Sequence, residues 1–179
     1  MKLAINKKSL SQTLRVYVRD VPDFPNPGII FRDIAPLLRE HFGETIIEMG
    51  KLFSAAEWNA IDLIGGIESR GFILAAGLAA IKHKGFVKIR KKGKLPGPVA
   101  IRRYGLEYGE DALEMQYGSG RMLIIDDVLA TGGTLAAAAE LAKESGHDVC
   151  GFACLIDLVY LNHFSWHGLV PRALIQYDS

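Results

Sequence analysis

The chain has 179 residues, is 49% hydrophobic and 23% charged, and has a formal net charge of +1. It is long enough for one domain with a buried core, and its composition excludes a disordered tail. Nineteen glycines without a G-X-Y repeat exclude collagen, and two cysteines are too few for a disulfide scaffold. No apolar run reaches the roughly 18 residues of a membrane span. No secretory signal is evident either, so we expect a cytoplasmic protein that does not bind a membrane.

The predicted elements begin with an amphipathic helix over residues 9–21, with Ser9 as its N-cap. Three prolines and a glycine make residues 22–28 a loop. A second helix is predicted over residues 44–58, because apolar residues there recur three or four apart.

Short apolar runs then alternate with Ala-rich segments. The predicted strands are 61–64, 86–89, 122–125 and 149–156, and the predicted helices are 73–83 and 135–143. Runs that are apolar on both faces suit parallel strands covered by helices on both sides. The pattern therefore predicts an α/β fold with a doubly wound, mostly parallel sheet, in which ligands bind beyond the carboxyl ends of the strands.

The segment richest in chemical information is 121–134, which reads RMLIIDDVLATGGT. It predicts a buried strand, a pair of acids, and a Thr/Gly loop that opens a helix. The loop glycines permit positive φ and close approach, so backbone N–H groups and the helix dipole can bind a phosphate monoester. Hydroxyls of the two threonines can donate to the same oxygens, although either threonine could instead be only a helix cap. The predicted phosphate-binding residues are Ala130, Thr131, Gly132, Gly133 and Thr134.

Asp126 and Asp127 are adjacent at the end of this strand. Paired carboxylates can accept hydrogen bonds from vicinal sugar hydroxyls or lie near Mg²⁺, or they can be an ordinary turn pair. Together with the phosphate loop they predict a site for ribose 5-phosphate. Neither a Walker A loop nor a G-x-G-x-x-G fingerprint occurs in the sequence.

A basic run extends from Lys82 to Arg103, with nine Lys or Arg residues and neither Asp nor Glu. Such a run is compatible with a solvated surface, with nucleic acid or with a compact phosphorylated ligand.

Residues 124–134 resemble the 5-phosphoribosyl 1-pyrophosphate (PRPP) signature of the type I phosphoribosyltransferases, and the form LATGGT is most similar to the adenine-using branch of that family. Other segments agree in family order, namely FPNPGIIFRDI (24–34), GIESRGF (66–72), RKKGKLPGP (90–98) and LEYG (106–109). The resemblance implies one domain over 1–179, with a small hood over about residues 1–35. It also implies an α/β core over about 36–179, with a lid loop near 99–118.

The implied reaction transfers ribose 5-phosphate from PRPP to adenine, giving AMP and pyrophosphate, with Mg²⁺ carried mainly by PRPP. The resemblance places Arg70, Lys91 and Lys94 at the pyrophosphate, where positive charge assists its departure. It makes Glu107, on the mobile loop, the catalytic acid/base. The resemblance also implies a homodimer.

Adenine recognition is expected from Ile30 through its main chain, Phe31 by stacking and Arg32 by hydrogen bonding. The alternative is that residues 29–31 are a small edge strand and that Arg32 and Asp33 form a structural ion pair. Arg102 and Arg103 depart from the more neutral residues that the family has before the lid glutamate.

Three rival functions remain open from the sequence. The first is transfer to another base, namely hypoxanthine, xanthine or orotate. The second is a PRPP-sensing regulator without enzymatic activity, although the chain leaves no room for an added nucleic-acid module. In the third, the basic run is a nucleic-acid patch, for which steeply salt-dependent binding is expected. Our own expectation is that the chain does not bind nucleic acid.

Overall fold

The computed structural model describes residues 10–106 and 109–179. The chain divides into two compact units, residues 1–48 and residues 49–179. The predicted boundary of the hood near residue 35 stays a prediction. Within the described ranges, no helix is long and apolar enough to span a membrane.

The first unit begins with α1 (Leu10–Arg15), followed by β1 (Arg19–Pro22) and β2 (Ile30–Asp33). The helix predicted over residues 9–21 is therefore wrong after Arg15, because the following residues pair antiparallel with β2. Gly28, at φ +85, lies in the turn between the two strands. Helical spacing alone could not reveal a strand that depends on pairing with residues 8 to 14 positions later in the chain.

The helix α2 (Ala35–Gly50) begins earlier than predicted and ends at Gly50. A separate helix, α3 (Ala55–Ala60), follows it. The Ser54 side chain accepts a hydrogen bond from the Glu57 backbone N–H, and the Glu57 carboxylate accepts one from the Ser54 N–H. This capping box starts a new helix, so the single helix predicted over residues 44–58 is wrong.

The second unit contains a seven-stranded sheet in the order β5-β6-β4-β3-β7-β8-β9. The strands β3, β4, β7, β8 and β9 are parallel to one another, whereas β6 runs antiparallel to β4 and β5. The doubly wound, mostly parallel sheet is confirmed. The strands are β3 (Leu63–Ile67), β4 (Gly85–Lys91), β5 (Val99–Leu106), β6 (Gly109–Gln116), β7 (Gly120–Leu129), β8 (His147–Leu158) and β9 (Arg172–Tyr177).

Two helices connect the parallel strands in opposite directions along the sheet. The helix α4 (Arg70–Lys82) leads from β3 to β4 on one side, and α5 (Gly133–Glu144) leads from β7 to β8 on the other. Because such crossovers are right-handed, the two helices cover opposite faces. Met122 and Ile124 of β7 pack in one cluster with the alanines of α5.

The hairpin of β5 and β6 occupies the segment predicted as a lid loop near residues 99–118. The secondary structure there is an antiparallel hairpin rather than an irregular loop. Closure of this segment over a substrate stays a prediction. The strand β9 lies at the opposite edge of the sheet and was missed.

Candidate active site

The phosphate loop lies where β7 ends and α5 begins. Gly132 is the N-cap of α5, with φ 88 and ψ −6, and no side chain among the described residues caps the helix. The first N–H groups of a helix have no intrahelical acceptor, so they remain available to an anion, which the helix dipole also favours. Capping by Thr131 or Thr134 is therefore the wrong alternative.

The two glycines of the loop have different surroundings. A Cβ built on Gly132 would lie 2.6 Å from the Phe164 ring, and its positive φ independently favours glycine. At Gly133 the nearest described atom is Thr131 Oγ1 at 4.0 Å, and Gly133 is exposed. The structure thus requires glycine at residue 132 for packing, and leaves open space at residue 133.

Asp126 and Asp127 follow the buried core of β7, and the Asp126 carboxylate accepts a hydrogen bond from the Asp127 N–H at 2.9 Å. Burial raises the pKa of Asp126 well above its usual range, and the Asp127 carboxylate adds to this effect. Burial also raises the pKa of Asp127, although the Arg70 guanidinium opposes the shift. Both carboxylates are desolvated, and they lie inside β7, which continues to Leu129, rather than directly after the strand predicted over 122–125. Their role in binding a sugar stays a prediction.

Arg70 is the first residue of α4 and ion-pairs with Asp127 at 2.7 Å. The contact requires a close approach of α4 to β7, which Gly71 allows. A Cβ at Gly71 would lie 2.9 Å from the Ile125 carbonyl oxygen and 3.1 Å from Asp126 Oδ1. The glycine therefore fixes the distance between the arginine and the aspartate pair.

The basic segment after β4 is held by a buried carboxylate. Glu114 of β6 accepts backbone hydrogen bonds from Gly93 at 2.7 Å, Lys94 at 2.6 Å and Leu95 at 2.5 Å. Its burial would raise its pKa, but the three N–H donors outweigh that effect and lower the pKa. Because Leu113, Glu114 and Met115 are all buried, this strand does not alternate between apolar and polar faces, and its anchoring role was missed from the sequence.

Glu68 gathers a second set of donors. Its Oε2 accepts from Arg90 Nε at 3.2 Å and from the Lys91 N–H at 3.0 Å. Its Oε1 accepts from Arg90 Nη2 at 3.1 Å and from Lys94 Nζ at 2.6 Å. Burial would raise the pKa of Glu68, but these hydrogen bonds lower it to about 2.

Two further contacts belong to this region. Lys91 Nζ lies 2.9 Å from Asp111 Oδ2, and this hydrogen bond raises the pKa of Lys91. Tyr104 of β5 shares a side-chain hydrogen bond with Thr134, and burial raises the pKa of its hydroxyl. Sequence reasoning missed Glu68, although it lies within the matched segment 66–72, and it also missed Tyr104.

The second unit therefore brings together the aspartate pair, the phosphate loop and Arg70, and it pairs Lys91 and Lys94 with carboxylates. The predicted adenine-binding residues lie on β2 in the first unit. There the Arg32 guanidinium lies 2.5 Å from Asp20, and Arg19 lies 2.6 Å from Asp33. Both residues therefore form structural ion pairs with β1, and Ile30–Asp33 is a strand, which agrees in part with the structural alternative. Adenine recognition by these residues stays a prediction. Glu107 lies outside the described residues.

The fold and this site define a class: an α/β protein in which an uncapped helix N-terminus, a buried acid pair and several cations gather near the carboxyl ends of parallel strands. Residues 46–158 match the phosphoribosyl transferase domain family. The chain is 56% identical over 167 residues to an adenine phosphoribosyltransferase of Hydrogenovibrio crunogenus, covering 93% of this chain and 97% of that one.

Solved structures of adenine phosphoribosyltransferases have the same fold as this chain. A crystal structure of adenine phosphoribosyltransferase from Thermoanaerobacter pseudethanolicus has a TM-score of 0.83 at 36% identity, covering 93% of this chain and 99% of that one. The Saccharomyces cerevisiae enzyme, complexed with an imino-altritol bisphosphate and adenine, has a TM-score of 0.82 at 33% identity, covering 93% and 98%.

The chain belongs to the phosphoribosyltransferase family, a family of pentosyltransferase enzymes. The resemblance to its adenine-using branch and the predicted enzyme class are confirmed.

Proposed function

We propose that this chain transfers the 5-phosphoribosyl group of PRPP to adenine, giving AMP and pyrophosphate. The observation that carries the proposal is the uncapped N-terminus of α5, whose N-cap Gly132 follows the Asp126–Asp127 pair by five residues. An uncapped set of helix N–H groups suits the 5-phosphate, and the nearby carboxylates suit the two ribose hydroxyls. The similarity to adenine phosphoribosyltransferases over most of the chain supports adenine as the acceptor.

The cations supply the electrostatic part of the mechanism. Negative charge grows on pyrophosphate as it leaves, and Arg70, Lys91 and Lys94 would stabilise that charge in the transition state. Arg70 can bind two oxygens at once through its planar fork, whereas the lysines act as point charges. In the structure each of these side chains pairs with a carboxylate. Binding of pyrophosphate would therefore replace a carboxylate with a phosphate oxygen as the partner of each cation.

The residues present fit a Mg²⁺ ion that arrives with PRPP. Among residues 10–106 and 109–179, no three His, Cys, Asp or Glu side chains gather closely enough to hold a metal ion. Mg²⁺ commonly binds through one or two carboxylates together with substrate phosphates, and Asp126 and Asp127 could serve in that way. Bound there, the ion would neutralise charge on the pyrophosphate.

Glu107 is the proposed acid/base at the base and reaction centre, on a loop that closes over the substrate. Ile30, Phe31 and Arg32 are proposed to recognise adenine. We expect Glu107→Ala to lower kcat on the order of 10²-fold while PRPP binds nearly as before. An unchanged kcat would remove Glu107 from the mechanism.

A homodimer in the cytoplasm completes the proposal. The open side of α4 supports the dimer, because Ile73 is 44% and Ile81 is 45% exposed, and Ala76 and Ala80 are exposed between them. Both cysteines are free thiols, as is usual in reducing compartments.

A base panel tests the activity. Pyrophosphate release from Mg²⁺–PRPP is measured with adenine, hypoxanthine, guanine, xanthine and orotate. We expect the highest kcat/KM with adenine, and AMP as the product. Higher kcat/KM with another base would overturn adenine as the acceptor, and binding of PRPP without turnover of any base would point to a PRPP sensor.

A further inference from the structure

Glu68 lies among the cations of the site without belonging to the predicted binding set. It follows β3, and its backbone N–H donates to the Ile89 carbonyl at 2.9 Å, so its position is fixed by the sheet. Its side chain is 10% exposed and accepts all four of the donors described above. A carboxylate has about four acceptor positions, so this one is saturated.

The two oxygens of Glu68 differ in what they hold. Oε2 binds the Lys91 backbone N–H and Arg90 Nε, which keeps the start of the basic segment against the β3–α4 loop. Oε1 binds Arg90 Nη2 at 3.1 Å and the Lys94 ammonium, whose side chain is 46% exposed. Both oxygens therefore hold the Arg90 guanidinium, but only Oε2 secures backbone and only Oε1 holds the exposed lysine.

The Lys94 backbone makes no direct hydrogen bond to Glu68 among the contacts described. Its N–H donates to Glu114 at 2.6 Å, and its carbonyl accepts from Arg90 Nη1 at 3.3 Å. The ammonium can leave Glu68 while the loop keeps these two contacts. Lys94 is thus in a position to change partners without the segment unfolding.

We propose that Glu68 is a positioning residue whose Oε1 occupies Lys94 until pyrophosphate, free or as part of PRPP, displaces it. The inference rests on the proposed function, because it takes the polyphosphate as the competing anion. Glu68 then both orients the basic segment and weakens pyrophosphate binding, which favours product release.

A substitution can separate these two effects. In Glu68→Gln the amide oxygen can still accept from the Lys91 N–H and Arg90 Nε, while the amide NH₂ faces both Arg90 Nη2 and Lys94 and can hold neither. Arg90 keeps its Nε contact, whereas Lys94 loses its contact with Glu68. Competition then predicts tighter pyrophosphate binding, by about threefold, the size expected when one partly exposed ion pair is removed. A purely structural role for Glu68 predicts weaker binding instead.

The test is calorimetric titration of the full chain with Mg²⁺–pyrophosphate. Glu57→Gln is the matched control. Glu57 is also an ion-paired glutamate with a pKa of about 2, and its partner is Arg172. It lines a cavity with Arg121, at the opposite end of β7 from the aspartates. We expect Glu68→Gln to bind more tightly than the wild type and Glu57→Gln to bind equally. The increase in pyrophosphate affinity caused by Glu68→Gln should disappear when Lys94→Gln is also present, because Glu68 then has no Lys94 ammonium to hold.

Unchanged or weaker binding in Glu68→Gln would overturn the inference, as would an equal gain in the Lys94→Gln background. A second measurement needs no substitution: the ¹³C shift of the Glu68 carboxylate should move when pyrophosphate is added to the wild type, and a constant shift would also overturn the inference. If the wild type binds neither pyrophosphate nor PRPP, the proposed function itself fails.

Discussion

Gly132 and Gly133 are neighbours in the phosphate loop, but their substitution should have different effects. Gly132→Ala should lower the free energy of unfolding by about 1–3 kcal/mol, because residue 132 has positive φ and a Cβ there meets Phe164. A Gly132→Val variant therefore cannot serve as a clean test of phosphate binding, because it would also disturb packing against Phe164. Urea denaturation measures the loss, and an unchanged midpoint would contradict it.

Gly133→Ala is the cleaner probe of the same loop. Its Cβ meets open space, so stability should stay within about 1 kcal/mol of the wild type. If the 5-phosphate closely approaches this N–H, PRPP affinity should fall roughly tenfold, about the free energy of one charge-assisted hydrogen bond. Calorimetric titration with PRPP measures the change, and wild-type affinity would argue against close approach.

The raised pKa of Asp126 predicts a pH-dependent effect on stability. The folded protein keeps this proton at pH values where the unfolded chain, with a pKa near about 4, has lost it. The contribution of Asp126 to stability is therefore full below about pH 4 and is lost as pH rises through the folded pKa. Asp126→Asn, which keeps an acceptor for the Asp127 N–H, should be more stable than the wild type at pH 7 and equal to it below about pH 4.

Urea midpoints across this pH range provide the measurement. Asp148→Asn, an exposed position on β8, controls for the change in net charge. If the urea midpoints of Asp126→Asn and the wild type differed by the same amount at every pH, the higher stability of the variant could not be due to burial of the Asp126 charge.

The basic segment illustrates how one side chain positions an element. Glu114→Ala leaves the N–H groups of Gly93, Lys94 and Leu95 without their acceptor, so we expect a loss of about 3 kcal/mol in stability. Faster tryptic cleavage after Lys92 and Lys94 should accompany it. Glu114→Gln keeps one oxygen and should lose less. Equal stability of Glu114→Ala and the wild type would exclude the anchor.

The sequence predicted the parallel strands well, because β3, β4, β7 and β8 are apolar on both faces and are separated by Ala-rich helices. It failed for β1, for β9 and for the β5–β6 hairpin, because these strands lack the continuous apolar run that marks the central strands. Short matched segments were enough to indicate that the aspartates, the Thr/Gly loop and Arg70 belong to one region, and Arg70 does lie beside Asp127. Their binding roles stay predictions. Glu68 and Glu114 were not predictable, since their donors lie 19 to 26 residues away.

At the scale of the whole molecule, α4 suggests the dimer interface. The helix is apolar on its buried side and also at the exposed Ile73, Ala76, Ala80 and Ile81. Helices that are apolar all round are usually buried, so a second copy of the chain would cover this side. Ile73→Asp should shift a dimer toward monomer in sedimentation, while Ile101→Asp, an equally exposed residue on β5, should not. A monomeric wild type would contradict this account.

The central claim is that the N-terminus of α5 binds the 5-phosphate of an activated ribose whose hydroxyls meet the two aspartates. A crystal structure of the chain with Mg²⁺–PRPP tests it most directly. We predict phosphate oxygens within hydrogen-bond distance of the N–H groups of residues 131–134, and ribose hydroxyls at Asp126 and Asp127. A PRPP molecule bound elsewhere, with this loop contacting only solvent, would contradict the account.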